Sequence, residues 1–319
     1  MNSRAERKTK MKDRKNKWKF KLILAVAFIL VLCFVKRDDL VDGFREMRLF
    51  LKKSPDEGTL ELHVIDVGQG DALLVRTGSS VMLVDTGTGE SKYFLKSYLR
   101  SRGVDKIDCL VCTHPHADHI GGAEYIVRNF KIGQVMLCGS DSTSPYLANL
   151  LSAIEELDID IAAPEYGAAY ELGDITFRIL SPYDDFDTSS NSGSIVMRVE
   201  WGATAFMLTG DAESDAEAFM LDSFTPDELK SDFLKLAHHG SSTSTSEEFL
   251  AAVDPEWVAI SCGRDNDYAH PHYEVIERLR KYGIPDDHIL RTDISGTIVF
   301  VSDGEQVYIN GQKPDRSQD

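Results

Sequence analysis

Apolar and polar positions divide the chain into three stretches. Residues 1–21 are polar and basic, and Leu22–Val35 is an unbroken apolar run. Residues 36–58 show a weak helical spacing (Leu40, Val41, Phe44, Met47, Leu49, Phe50, Leu51) that stops at Ser54-Pro-Asp-Glu-Gly58. From Leu60 to Ile309, short apolar or alternating runs of strand type interleave with helical periods, and no repeat of 20–50 residues is visible. The runs predict strands near Leu60–Val67, Ala72–Thr77 and Val81–Asp85, a helix near Lys92–Arg102, and a strand Ile107–Cys112. Further strands are predicted near Ile175–Leu180, Ile195–Trp201, Ala205–Thr209 and Phe233–Ala237, with helices near Ser214–Leu221 and Ser246–Val253. Strand Trp257–Ser261, helix Tyr273–Tyr282 and strands near Thr297–Val301 and Gln306–Ile309 close the series. Short sequential antiparallel strands with helices between them predict one α/β domain over 59–311, with two sheets face to face and helices outside. Residues 312–319 are a polar tail.

The N-terminal stretches have the layout of an export signal, a basic region followed by an apolar one. Fourteen apolar residues are short for a span. Trp18 and Phe20 suit the interface, however, and flanking lysines can snorkel, extending the usable length to roughly 18 residues. No small-x-small cleavage site follows, so residues 22–35 are expected to be an uncleaved transmembrane anchor, with a cleaved signal peptide as the alternative. The basic tail 1–21 would be cytoplasmic and everything after Lys36 outside the cell membrane.

Charge sharpens this division. The net charge of −17 conceals a +10 segment, residues 1–37, with twelve Lys/Arg against Glu6 and Asp13; the other 282 residues carry −27. Such a body repels polyanions at long range and counts against broad nucleic-acid binding unless a local basic patch or bound metal offsets it. Five cysteines (Cys33, Cys109, Cys112, Cys138, Cys262) imply no disulfide framework. Cys109 and Cys112 form a CxxC, but on a strand residues three apart face opposite ways, so both are expected as buried, unpaired thiols.

The strongest chemical signal is Thr113-His-Pro-His-Ala-Asp-His119-Ile-Gly-Gly122, where His114, His116, Asp118 and His119 concentrate at the end of an apolar strand. Imidazole and carboxylate at that density suit Zn2+ or Mn2+. His114 and His116 can converge on one ion, Asp118 and His119 on a second, and Gly121 and Gly122 let the backbone turn closely beneath them. Two ions about 4 Å apart need a shared anion. Asp211, ending the apolar strand Ala205–Thr209 after Gly210, is the candidate bridge, against the alternative of a helix N-cap. His238, His239, His270 and His272 bring seven of nine histidines into three loops, which favours one convergent site; His63 and His288 are expected to have no role there.

Asp66-Val-Gly-Gln-Gly-Asp71, Val84-Asp-Thr-Gly87, the HxHxDH, Leu208-Thr-Gly-Asp211, His238-His-Gly-Ser-Ser242 and His270-Pro together resemble the metallo-β-lactamase domain at the C-terminus of the ComEC family of competence (DNA-uptake) proteins. The resemblance spans roughly 59–311 and implies an αββα sandwich with a one- or two-metal site at one edge of its sheets. It implies His114, His116, Asp118, His119 and Asp211 as metal ligands, with Asp85 orienting a ligand histidine. The last ligand stays open between His270, which is preferred, and the His238/His239 pair, whose other expected role is catalytic, facing substrate oxygens. Many members place a further histidine between the HxHxDH and the bridging aspartate, but none occurs here between His119 and His238. Asn191 or Ser194 is expected at that corner, giving one tight site and a second, weaker one.

The implied chemistry is hydrolysis of a phosphodiester, with DNA as the possible substrate, by water activated at the metal and oriented by catalytic Asp118. The alternatives are an extracellular phosphodiesterase or esterase on cell-wall or choline-type esters, and a non-catalytic metal-stabilised binding module. The missing histidine and Asp211 both argue against β-lactam hydrolysis.

Overall fold

The structure, a computed structural model, describes residues 54–137, 143–182 and 187–309, all within the unit Lys52–Asp319. The basic tail, the apolar run, the linker as far as residue 53, Cys33, Cys138 and the tail 312–319 lie outside the described residues. Among the described residues no helix is long and apolar enough to cross a membrane.

The first half contributes strands β1 (Leu60–Val64), β2 (Leu73–Arg76), β3 (Val81–Val84), β4 (Lys106–Cys112), β5 (Lys131–Leu137) and β6 (Asp160–Ala162). The second contributes β7 (Ala169–Leu172), β8 (Ile175–Ser181), β9 (Val196–Trp201), β10 (Thr204–Leu208), β11 (Phe233–Lys235), β12 (Trp257–Ile260) and β13 (Ile289–Arg291), followed by β14 (Ile298–Ser302) and β15 (Val307–Ile309). They form two sheets, ordered β15-β14-β1-β2-β3-β4-β5-β6 and β13-β12-β11-β10-β9-β8-β7.

Both sheets are mixed, which corrects the antiparallel expectation. Strands β1 to β3 and β7 to β10 pair as antiparallel meanders, whereas β3 to β6 and β10 to β13 pair in parallel. The parallel halves need crossovers, which the helices Lys92–Ser101, Ala123–Val127, Pro145–Leu157, Ser214–Ser223, Glu247–Val253 and Tyr273–Tyr282 provide. Strands β5, β6, β7 and β13 and helix Pro145–Leu157 were not predicted; of these, β6, β7 and β13 are short edge elements without a buried apolar run.

Strand alternation builds three apolar layers. Leu60, Leu62, Val64, Val75 and Val84 of one sheet meet Phe177, Val199, Phe206 and Phe233 of the other, and the Phe233 and Phe300 rings lie edge to face at 4.6 Å. The opposite face of the first sheet (Leu74, Leu83, Leu110, Val135) takes Leu95, Leu99, Leu150 and Ile154 from its helices. The second sheet packs Met207, Leu234 and Val258 against Met220, Leu250 and Leu279. Truncating Phe233 to Ala would cost ~3–5 kcal/mol. Cys109 lies in the layer between the sheets and Cys112 in the outer one, so the two thiols face opposite ways; both are buried and free.

His63 belongs to a buried polar network under helix Lys92–Ser101, with Nδ1 2.7 Å from Tyr98 Oη and Nε2 3.0 Å from Glu61 Oε2. Arg76 forks onto the same Glu61 oxygen at 3.0 and 2.6 Å. His288 stacks on Trp257 at 3.7 Å. Neither belongs to the histidine cluster described next.

Candidate metal centre

The carboxyl ends of parallel strands converge at one edge of the sandwich, where backbone leaving a sheet is free to turn and side chains can point into a shared cleft. Asp85 follows β3, His114 follows β4, Asp211 follows β10, His238 and His239 follow β11, and Ser261 follows β12. Two close approaches hold the His-rich turn. Gly70, at φ +143°, brings its loop so near Asp118 that a Cβ there would sit 2.3 Å from the Asp118 carbonyl oxygen, and Asp71 N–H donates to that oxygen at 3.1 Å. A Cβ on Gly121 would lie 2.2 Å from the Ala117 carbonyl oxygen and 2.5 Å from Gly89 N.

Asp118, His119, Asp211 and His239 bring one ligand atom each within 4.8 Å of one another. His119 Nε2 lies 3.2 Å from Asp211 Oδ2, and His239 Nε2 lies 3.3 Å from Asp118 Oδ2 and 3.5 Å from Asp211 Oδ2. Each imidazole is aimed by a partner on its other nitrogen. Asp85 Oδ2 holds His119 Nδ1 at 2.7 Å and is itself fixed by the Thr113 hydroxyl at 2.7 Å. His239 Nδ1 donates to the Ser261 carbonyl at 2.9 Å. Both Nε2 atoms therefore face the cleft, in the manner of metal-ligating histidines.

His114 adjoins this group, its ring 4.1 Å from that of His119 and 4.6 Å from that of exposed His116. Ser194 does not face the cleft as a ligand would. Its hydroxyl lies 3.2 Å from His114 Nδ1 and accepts Asp211 N–H at 3.1 Å, so it backs two predicted ligands. Asn191 Nδ2 donates to Glu213 Oε1 at 3.2 Å and lies 3.4 Å from His238 Nε2.

Among the described residues the group that could hold an ion takes in His239 and not the preferred His270. His239, at φ 54°, turns its Nε2 into the carboxylate group, whereas the His270 ring stands 6.2 Å from the His239 ring and stacks on Tyr268 at 5.6 Å. His238 takes an outer position, with Nε2 3.9 Å from Asp211 Oδ2 and Nδ1 3.1 Å from Thr243 Oγ1 and 3.2 Å from Glu213 Oε1.

The residues fit a metal ion on their own chemistry. His114 Nε2 and His119 Nε2 are buried with no aligned hydrogen-bond partner, which a native interior rarely tolerates. Burial opposes charge on His119 and His239, yet Asp211 and the neighbouring carboxylates overcome it, raising the first well above its usual value and the second to about 9. Burial would raise Asp118 and Asp211, but His239 and His119 hold both below the usual carboxylate range. Burial and the adjacent His119 keep His114 neutral. The carboxylates thus demand positive charge in this cleft, and a divalent ion can take the place of the imidazole protons.

A second group, Asp71, Asp85 and His119, lies behind the first. It already has a cation. Lys235 is fully buried, its Nζ 2.5 Å from Asp71 Oδ2 and 3.1 Å from the Gly210 carbonyl oxygen. Burial raises Asp71, but Lys235 and His239 outweigh it and bring its pKa to about 2. Sequence reading passed over Lys235, although a lone lysine inside the apolar strand Phe233-Leu-Lys-Leu-Ala237 was the available signal.

The profile of the metallo-β-lactamase superfamily matches residues 65–147, which include the HxHxDH turn. ComE operon protein 3 of Bacillus subtilis is 32% identical over 259 residues, covering 75% of this chain and 33% of that protein. Competence protein ComA of Neisseria gonorrhoeae is 32% identical over 246 residues, covering 76% of this chain and 32% of its own length. The metallo-β-lactamase fold protein YhfI of Bacillus subtilis superposes with a TM-score of 0.50 at 14% identity, covering 76% of this chain and 99% of that structure. The chain is a metallo-β-lactamase-fold protein with a His/Asp metal site. More particularly, it is related to these competence proteins, of whose length it spans about a third.

Proposed function

We propose that this chain hydrolyses phosphodiester bonds, with a DNA strand as substrate, using divalent ions held by His114, His116, Asp118, His119, Asp211 and His239. The observation that carries the reading is the pair of buried imidazole nitrogens, His114 Nε2 and His119 Nε2, with no aligned hydrogen-bond partner beside the carboxylates of Asp118 and Asp211. Relatedness to Competence protein ComA, together with the sequence resemblance to DNA-uptake proteins, supports DNA as the substrate.

Bound ions would supply charge neutralisation at the phosphoryl oxygens and acidify water. The chain's own residues supply orientation and proton handling. Asp118, half-buried and 3.3 Å from His239 Nε2, offers an oxygen that can orient water for in-line attack. His238 faces the cleft with its Nε2. The Thr243 hydroxyl donates to Glu213 at 3.1 Å and is left to accept from His238 Nδ1, which fixes the tautomer with the lone pair on Nε2, where Asn191 Nδ2 approaches at 3.4 Å. His238 Nε2 can take a proton and return it to the leaving oxygen.

The test is turnover of bis(4-nitrophenyl) phosphate and of a labelled oligonucleotide by the protein loaded with Mn2+ or Zn2+. Hydrolysis of both, lost in Asp211→Asn, is the expected result. A metal-loaded protein that cleaves neither is a binding module.

A further inference from the structure

Resting on the phosphodiesterase reading, we propose that helix Lys92–Ser101 and Tyr146 form a track that holds a single-stranded nucleic-acid arm of the substrate as it leaves the metal centre. The track begins at a cleft of about 480 Å³ beside the metal ligands, lined by His116, Ala117, Thr143, Ser144, Tyr146 and Ser189. The Tyr146 ring borders the backbone beneath the His-rich turn. A Cβ on Gly89 would lie 3.9 Å from Tyr146 Cε1 and 3.4 Å from the Gly121 carbonyl oxygen. Lys92 comes next, because a Cβ on Gly122 would lie 3.4 Å from Lys92 Cβ.

Beyond it, cations and rings alternate. Lys92 Nζ lies 5.4 Å from the centre of the Tyr93 ring and 5.6 Å from that of Tyr125, and Lys96 Nζ lies 5.4 Å from Tyr125. Tyr93 meets Tyr125 edge-on at 5.0 Å. Lys92, Lys96 and Arg100 recur every four residues, so they share one helix face, and the helix carries no acidic residue. In a body of −27, that stripe is a local exception to the surrounding field.

The neighbours set what each group can do. Lys96 donates to Asn129 Oδ1 at 2.7 Å and Arg100 pairs with Asp105, while exposed Glu90 precedes the helix. Lys92, among the rings and nearest the metal turn, is therefore the principal phosphate contact. A cation–π cluster that served only the helix would have no need to leave Tyr93 64% exposed, nor Tyr146 39% exposed at the cleft. Ring faces beside lysines are what unpaired bases and their phosphates require, and a duplex cannot present its base faces to them. An anionic membrane surface would also suit lysine and tyrosine, but it would not explain continuity with the cleft at His116.

The test uses the full chain, in EDTA for binding so that the oligonucleotide stays intact and with Mn2+ for turnover, and two variants, Tyr93→Ala and Lys92→Gln/Lys96→Gln. Fluorescence anisotropy with labelled oligo-dT should show roughly tenfold weaker binding for Tyr93→Ala. The double lysine variant should flatten the dependence of log affinity on log salt by ~0.7 per lysine. Turnover of bis(4-nitrophenyl) phosphate, which cannot reach the helix, should keep its kcat and KM in both. That small-substrate assay judges the activity reading alone, and the anisotropy judges the track alone. Unchanged oligo-dT affinity in both variants, or no oligo-dT binding by the parent protein, overturns the track. So does a loss confined to binding of phosphatidylglycerol vesicles, which would make the helix a membrane contact.

Discussion

Lys235→Met tests whether the ammonium behind the metal site is a structural counter-ion. The ammonium lies 2.5 Å from Asp71 Oδ2, with both side chains shut off from solvent. At an effective dielectric of ~20 the gross attraction is ~7 kcal/mol, most of it offset by desolvation of the two ions. Removing the lysine alone leaves Asp71 charged and buried, a change that costs ~3–5 kcal/mol. Methionine fills nearly the same space, so cavity formation contributes little. Adding Asp71→Asn removes the stranded charge and should recover most of the loss, giving a coupling energy of ~2 kcal/mol or more. Urea unfolding in EDTA measures the four proteins of the cycle without a contribution from metal binding. A loss below ~1 kcal/mol for Lys235→Met, or losses that simply add in the double variant, would refute the reasoning.

Asp211→Asn should lower metal content and abolish turnover while preserving the fold, since Asp211 Oδ2 lies 3.2, 3.5 and 3.9 Å from His119, His239 and His238; elemental analysis alongside circular dichroism checks it. Burial, reinforced by Arg76 and Arg102, holds His63 down to about 4 from 6.5. The unfolded chain therefore takes up this proton first, so stability is complete above pH 6.5 and falls by ~3 kcal/mol as pH drops to 4. His63→Gln should flatten the loss over that window in EDTA, and an unaltered pH profile of melting would count against it. With no histidine between residues 120 and 237 to strengthen the His114/His116 side, turnover should keep rising after the first equivalent of Mn2+ is bound; full activity at one equivalent would exclude a weak second ion. Protease added to intact cells should digest the body if residues 22–35 anchor it outside; a protected, soluble chain would dismiss the anchor.

The sandwich was legible in the sequence wherever a strand buries one full apolar face. Leu60–Val64, Lys106–Cys112 and Thr204–Leu208 announce themselves by composition and length. Strands such as Asp160–Ala162 and Ala169–Leu172 do not, because an edge strand shows water most of its side chains and draws its identity from the neighbour it pairs with. Parallel pairing was hidden for a related reason, since it depends on where a crossover helix returns the chain rather than on the strand's own residues. At the site, candidate ligand types were readable from HxHxDH, but which late histidine joins Asp118, His119 and Asp211 was not. It turns on the left-handed backbone at His239 and on the Ser261 carbonyl that aims the ring, a contact spanning 22 residues.

The pair Lys235–Asp71 also bears on how an acidic body could handle a phosphodiester. Asp71, Asp85, Asp118 and Asp211 bring four carboxylates to one edge of the sandwich, and a substrate phosphate would add further negative charge. Lys235 neutralises Asp71 through a contact that no solvent reaches, so ions held at the cleft would not need to balance Asp71 as well. His119, held between Asp85 on one nitrogen and Asp211 on the other, passes the influence of the inner layer to the outer one. Replacing Lys235 should accordingly alter metal affinity even though the lysine is no ligand. That effect would separate an electrostatic role from simple packing, because a packing residue replaced by methionine would leave the metal titration unchanged.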